Sequence, residues 1–144
     1  MLERYARSDA ARCIPAALLE GLRAVNAHDL DGIRGMLRDD FVLHDHRRTG
    51  LGRLEREDYL ASLAALFEQA PDVSVETLYE VAVEKQGILL VARNFGTLRE
   101  GGEFESVYVR IMRHRDDRLV GVEMFEPEDL DVARARFEAL CRLA

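Results

Sequence analysis

No run of about 18 apolar residues occurs in this chain, so its sequence offers no membrane-spanning helix. The opening residues, MLERYARSDAARC, lack the apolar core of a secretory signal, and the expected location is the cytoplasm. Cysteine is scarce: Cys13 and Cys141 stand near opposite ends, in no metal-ligand spacing, and read as free or buried thiols rather than a bridge. There is no glycine-rich phosphate loop, no nucleophile elbow and no paired-cysteine motif, which argues against nucleotide, serine-hydrolase and redox chemistry. No cofactor is expected. Basic residues are outnumbered, 20 against 27 acidic ones, for a net charge of −7, and the arginines are scattered among acids. Such a surface repels phosphate backbones, so nucleic acid is not an expected partner. Repeats, linkers and low-complexity tracts are missing too, and 144 residues suit one domain that buries its own core without staples.

What is present is a pattern of three helical segments, four strands and a last helix. Ile14, Leu18, Leu22 and Val25 form an apolar stripe over about Ile14 to Ala27, with Pro15 in the first turn. Asp29 stands as N-cap of a short second helix carrying Leu30, Ile33, Met36 and Leu37 and ending near Asp39-Asp40. Phe41-Val42-Leu43 reads as a brief edge strand running into His44-Asp45-His46 and a glycine turn. Tyr59, Leu60, Leu63, Leu66 and Phe67 mark a third helix from about Glu55 to Gln69, which Pro71 stops.

From Val73 to Glu84 apolar residues alternate with polar ones as in a half-buried strand. Ile88 to Leu98 is apolar on both faces, Leu89, Val91 and Phe95 on one and Ile88, Leu90 and Ala92 on the other, so it should be central. Gly101-Gly102 and Asp116-Asp117 read as hairpin turns that make the strands antiparallel. Pro127 opens a final helix whose stripe, Leu130, Ala133, Phe137 and Leu140, must bury against its own sheet or a partner. The fold class is therefore α+β, a curved antiparallel sheet wrapped around N-terminal helices with a C-terminal helix. The chain reads as one domain over 1–144, its core about 14–126 and its last helix 127–142.

Such a layout encloses a pocket. Strand alternation turns His44 and His46 to one face, and a histidine with a carboxylate neighbour is the minimal kit for proton transfer near neutral pH. Glu123 could supply that carboxylate, which makes His44, His46 and Glu123 the candidate catalytic residues. Two imidazoles at this spacing could also hold a metal, but nothing singles out a third protein ligand among the acids, His28 and His114, and no metal is assigned. Tyr59, Asn94 and Tyr108 are candidate ligand-binding residues, and Arg93 or Arg110 would bind an anionic ligand if they point inward.

Phe41-Val42-Leu43-His44-Asp45-His46-Arg47-Arg48, followed by a glycine turn and the helix near Glu55, resembles the SnoaL-like branch of the nuclear-transport-factor-2-like superfamily. Val120-Gly121-Val122-Glu123-Met124-Phe125-Glu126-Pro127 is similar to that branch's closing strand, and the likeness runs from Ala16 to Leu140. It implies a cone-shaped α+β fold with an apolar cavity, often paired as a homodimer. It also implies that His44 or His46, and Glu123 or Glu126, sit at cavity or rim positions. The stretch from Phe125 to Leu140 also resembles SnoaL-like modules at the ends of larger bacterial regulatory proteins, which implies a domain of a longer chain. The expected function is a small-molecule-binding, sensory or dimerisation module taking a small apolar ligand. The alternative is a cofactor-free isomerase, cyclase or dehydratase acting on a small apolar carbonyl compound by histidine-based proton transfer.

Overall fold

The computed structural model describes residues 16–143. Cys13, Ile14 and Pro15 lie outside the described residues, so the start assigned to the first helix and any bridge to Cys13 are not addressed; Cys141 is a half-buried free thiol. The described elements run α1 (Ala16–Asn26), α2 (Leu30–Met36), β1 (Leu37–Asp45), β2 (Gly52–Glu55), α3 (Arg56–Gln69), β3 (Ser74–Glu84), β4 (Gly87–Thr97), β5 (Glu103–Arg115), β6 (Arg118–Phe125), a 3-10 turn at Pro127–Asp129 and α4 (Leu130–Leu143). As the sequence indicates, this is an α+β architecture with a curved sheet between N-terminal helices and a C-terminal one.

The six strands lie in the order β2-β1-β6-β5-β4-β3. Two expectations change. The short edge strand at Phe41 is a nine-residue strand inside the sheet, with β2 as the edge, and it takes Leu37 from the second helix. Leu37 has extended backbone where it caps α2, and buried Leu37, Phe41, Leu43 and Asp45 then share one face at strand spacing. Further, every pairing is antiparallel except β1 with β6, which is parallel. A hairpin cannot make that pair; α3 and the β3–β6 meander form the long connection it needs.

The alternating stretch at β3 is real but interrupted. Register shifts after Thr77 and after Glu80 each insert an extra residue, which changes the face that follows. Leu78 and Tyr79 are thereby both exposed, while Glu76 is buried against Arg93. The β5–β6 turn falls on Asp116-Asp117 as expected, with φ of 54° and 61°, the left-handed pair of a type I′ turn. Asp116 is bonded to Arg38, but Asp117 bears the conformational cost without that ion pair. Asp117→Gly should therefore stabilise the protein by about 0.5–1 kcal/mol in urea unfolding, and a loss of stability would contradict the turn geometry.

The sheet separates two cores. On one face Leu18, Ile33, Tyr59 and Leu60 from the first three helices pack on Phe41, Leu43, Leu90, Tyr108 and Val122. On the other, Ala133, Phe137 and Leu140 of α4 pack on Leu89, Val91, Val109, Ile111 and Phe125. The last helix thus buries its stripe on its own sheet. No described helix is long and apolar enough to cross a membrane. The corner between α1 and α2 is docked onto β3: Asn26 bonds the Val75 backbone in both directions at 2.7 and 3.1 Å, and His28 meets the Val73 carbonyl at 2.7 Å while stacking on Phe67.

Candidate ligand cavity

Between the helices and the concave face lies a cavity of about 480 Å³, within the range usual for small-molecule sites. Val25 from α1 and Tyr59, Leu63, Leu66 and Phe67 from α3 form one wall. Leu43, Asn94, Ser106, Tyr108, Arg110 and Met124 project from the sheet, and Arg47, Thr49 and Leu51 of the β1–β2 loop complete the enclosure. Strand parity explains the selection, since residues at alternate positions share a face.

The loop is built around Asp45, whose side chain is fully buried. Its carboxylate accepts bonds from Arg47 Nε at 2.9 Å, Arg47 Nη2 at 2.8 Å, the Leu51 amide at 3.0 Å and the Arg47 amide at 3.2 Å. Burial works to raise its pKa, but the Arg47 guanidinium and these amides outweigh it and hold the carboxyl below its ordinary value. Gly50 closes over the same carboxylate: a Cβ there would stand 2.4 Å from an Asp45 oxygen. Arg47 is thereby fixed with its guanidinium 5.2 Å from the centre of the Tyr108 ring.

Tyr108 and Asn94 form the second polar feature, the phenol donating to Asn94 Oδ1 at 2.7 Å. Burial pushes the Tyr108 pKa up, so the hydroxyl stays protonated. Arg110, 8% exposed, lies against Tyr59 and Tyr108, and its Nε has no partner. Of the sequence candidates, then, Tyr59, Asn94, Tyr108 and Arg110 come together at the cavity.

The expected cavity or rim placement of His44, His46 and Glu123 does not hold. Asp45 and Leu43 take the inward positions of β1, which turns His44 and His46 to the α4 side; on β6, Val122 and Met124 face inward and Glu123 outward. There His46 Nε2 meets Glu123 Oε1 at 2.9 Å and its ring stacks on Phe125. Arg136 of α4 donates to both Glu123 oxygens at 3.2 Å. Burial alone would raise the Glu123 pKa; Arg136 and His46 bring it below the ordinary value. Donor atoms of His44, His46 and Glu123 lie within 4.8 Å of one another, close enough to meet a metal ion, but a cation would have to displace Arg136 from Glu123. Glu126 is the backbone N-cap of the 3-10 turn before α4 and does not line the cavity.

Arg93 likewise shares the parity of Leu89 and Val91, away from the cavity. Its guanidinium is paired with Glu76 and Glu105 at 3.0 Å each and lies over Phe95. Sequence reasoning missed Asp45 and Arg47 as cavity formers. The usable signal was Phe41-x-Leu43-x-Asp45: a charged residue in phase with two core positions needs a partner, and Arg47 is the nearest cation.

A family model for the SnoaL-like domain matches residues 18–122. No curated protein is significantly similar in sequence. Solved structures share the fold. AclR from Streptomyces galilaeus, provisionally assigned as a hydroxylase, is 21% identical with a TM-score of 0.67, over 88% of this chain and 96% of that one. IdmH from Streptomyces antibioticus, provisionally assigned as a polyketide cyclase, is 19% identical with a TM-score of 0.65, over 83% and 96%. The BvnE pinacolase from Penicillium brevicompactum is 15% identical with a TM-score of 0.70, over 92% and 95%. With the family model spanning most of its length and this sheet wrapped on these helices, the chain belongs to the SnoaL-like family of the nuclear-transport-factor-2-like superfamily.

Proposed function

We propose that this domain binds a small, largely apolar molecule in the cavity between α3 and the sheet, as a binding or sensing module rather than by histidine-based turnover. One observation carries the reading: the 480 Å³ cavity combines apolar walls with a few convergent polar groups, and its lining contains no imidazole and no carboxylate among the described residues. Asp45, the carboxylate behind the wall, is already engaged by Arg47 and two amides, so it is poorly placed to take a proton. Pairing of two chains belongs to the same reading.

A cyclase-type or isomerase role is the second reading, favoured by the Tyr59, Tyr108 and Arg110 cluster. Arg110 and the Tyr59 hydroxyl, beside a Tyr108 whose proton is held by Asn94, could stabilise an enolate oxygen at one end of an apolar cavity. The polyketide cyclase assignment of IdmH keeps that chemistry in view.

Native mass spectra of the gently purified protein, alone and with added 2-naphthoate, read adduct and oligomer together. A bound small molecule is expected. Ser106→Phe, which fills the cavity from β5, should weaken its retention about tenfold or more, while His44→Ala and His46→Ala leave it unchanged. Retention that survives Ser106→Phe, or is lost in the histidine variants, would move the site to the outer face.

A further inference from the structure

Two guanidinium groups line the cavity, those of Arg47 and Arg110. Arg47 is matched by Asp45 through paired bonds of 2.9 and 2.8 Å. Arg110 is matched by no carboxylate among the described residues: Tyr59 and Tyr108 are its polar neighbours. Among the described residues, the cavity therefore carries one uncompensated positive charge inside a chain of net charge −7. This arginine is more than nine-tenths buried. It also borders a smaller void of about 20 Å³ formed with Leu18, Ile33, Leu37, Met112 and Leu119, so its surroundings on that side are hydrocarbon. A water molecule could fit there, but a water is not a counter-charge, and a buried cation without one is unfavourable unless a ligand completes it.

We propose that Arg110, flanked by the Tyr59 and Tyr108 hydroxyls, forms an acid-binding subsite that takes the carboxylate of an otherwise apolar acid. The inference rests on the cavity-binding reading above and names the ligand class it would accept. The planar guanidinium can offer two parallel N–H groups to two carboxylate oxygens, and the Tyr59 phenol can donate to one of them; Tyr108, whose proton goes to Asn94, would have to turn that proton to join them. Leu43, Leu63, Leu66 and Phe67 then receive the hydrocarbon body. Because the protein as a whole is acidic, long-range attraction does not favour an anion; selectivity for the acid would come from this subsite.

The test compares 2-naphthoate with its neutral counterpart 2-naphthamide by isothermal titration at pH 7. The wild-type protein should bind the acid about 10- to 100-fold more tightly. Arg110→Met keeps the bulk and removes the charge; it should erase the preference, and its melting temperature should not fall. Arg110→Lys should retain the sign of the preference at reduced size. Equal affinities for acid and amide in the wild type overturn the acid subsite and leave cavity binding standing. Binding of neither compound overturns both, and a preference that persists in Arg110→Met assigns it to Arg47 instead. The wild-type comparison decides the matter even where a variant does not fold.

Discussion

Asp45→Asn should lower the free energy of unfolding by roughly 3 kcal/mol, because it leaves the Arg47 guanidinium without its buried partner. Arg47 is only 19% exposed in its side chain, and Asp45 is wholly buried. For a domain of this size the loss corresponds to a fall in melting temperature of about 6–12 °C. The effect should extend beyond one ion pair, since Asp45 also holds the Leu51 amide and is covered by Gly50. The loop that supplies Arg47, Thr49 and Leu51 to the cavity wall depends on it. The pH dependence has a definite sign. The folded pKa of Asp45 is depressed, so its stabilising contribution is complete above the unfolded carboxyl pKa and is lost as pH falls through the folded value. The difference between the wild type and Asp45→Asn should thus be full at pH 7, begin to shrink below about pH 4, near the unfolded carboxyl value, and close only below the depressed folded value. Equal urea midpoints at pH 7 would contradict the buried-pair account.

Phe137→Ala should cost about 3 kcal/mol, near the lower end for deleting a buried aromatic, because a terminal helix can settle partly into the space. Phe137 is 2% exposed and packs in the outer core with Leu89, Val91, Val109 and Ile111. It closes on the backbone at Gly87, where a Cβ would meet its ring at 3.2 Å. Since this core lies across the sheet from the cavity, the variant should lose stability while keeping its affinity for 2-naphthoate under folding conditions. A loss below about 1 kcal/mol, under what such a deletion costs even where the site collapses well, would mean that α4 is not seated on the sheet. Loss of affinity in the folded variant would mean that the two faces are coupled.

Much of this architecture was legible because its signals are local. The α3 stripe, the two-sided apolar run of β4 and the Asp116-Asp117 turn each follow from a few neighbouring residues, as does the amphipathic face of α4. The β1 strand was underestimated because Arg38, Asp39 and Asp40 interrupt its apolar signal, while its parallel contact with β6 is set by residues some 80 positions away. The β3 bulges escaped because a register shift depends on the partner strand, and the face of each following residue depends on the shift. The candidate site divides along the same line. Tyr59 could be placed from its helix, and Asn94 and Tyr108 from strand parity, but the sign of the parity on β1 could not be read from His44-Asp45-His46 alone. The two imidazoles lie on the face opposite the cavity, and the buried carboxylate between them sits behind the cavity wall.

The most direct test of the cavity reading uses side-chain methyl groups, because they point to one face of a strand where its amides do not. In ¹³C-methyl spectra of the protein titrated with 2-naphthoate, nuclear Overhauser contacts from the probe's ring should reach Leu43, Leu63, Leu66 and Val75, which line the cavity. Leu89, Val91, Val109 and Ile111, in the core beneath α4, should show none. Contacts to that second set, or no contacts to the first at saturating probe, would contradict a ligand site between the helices and the sheet.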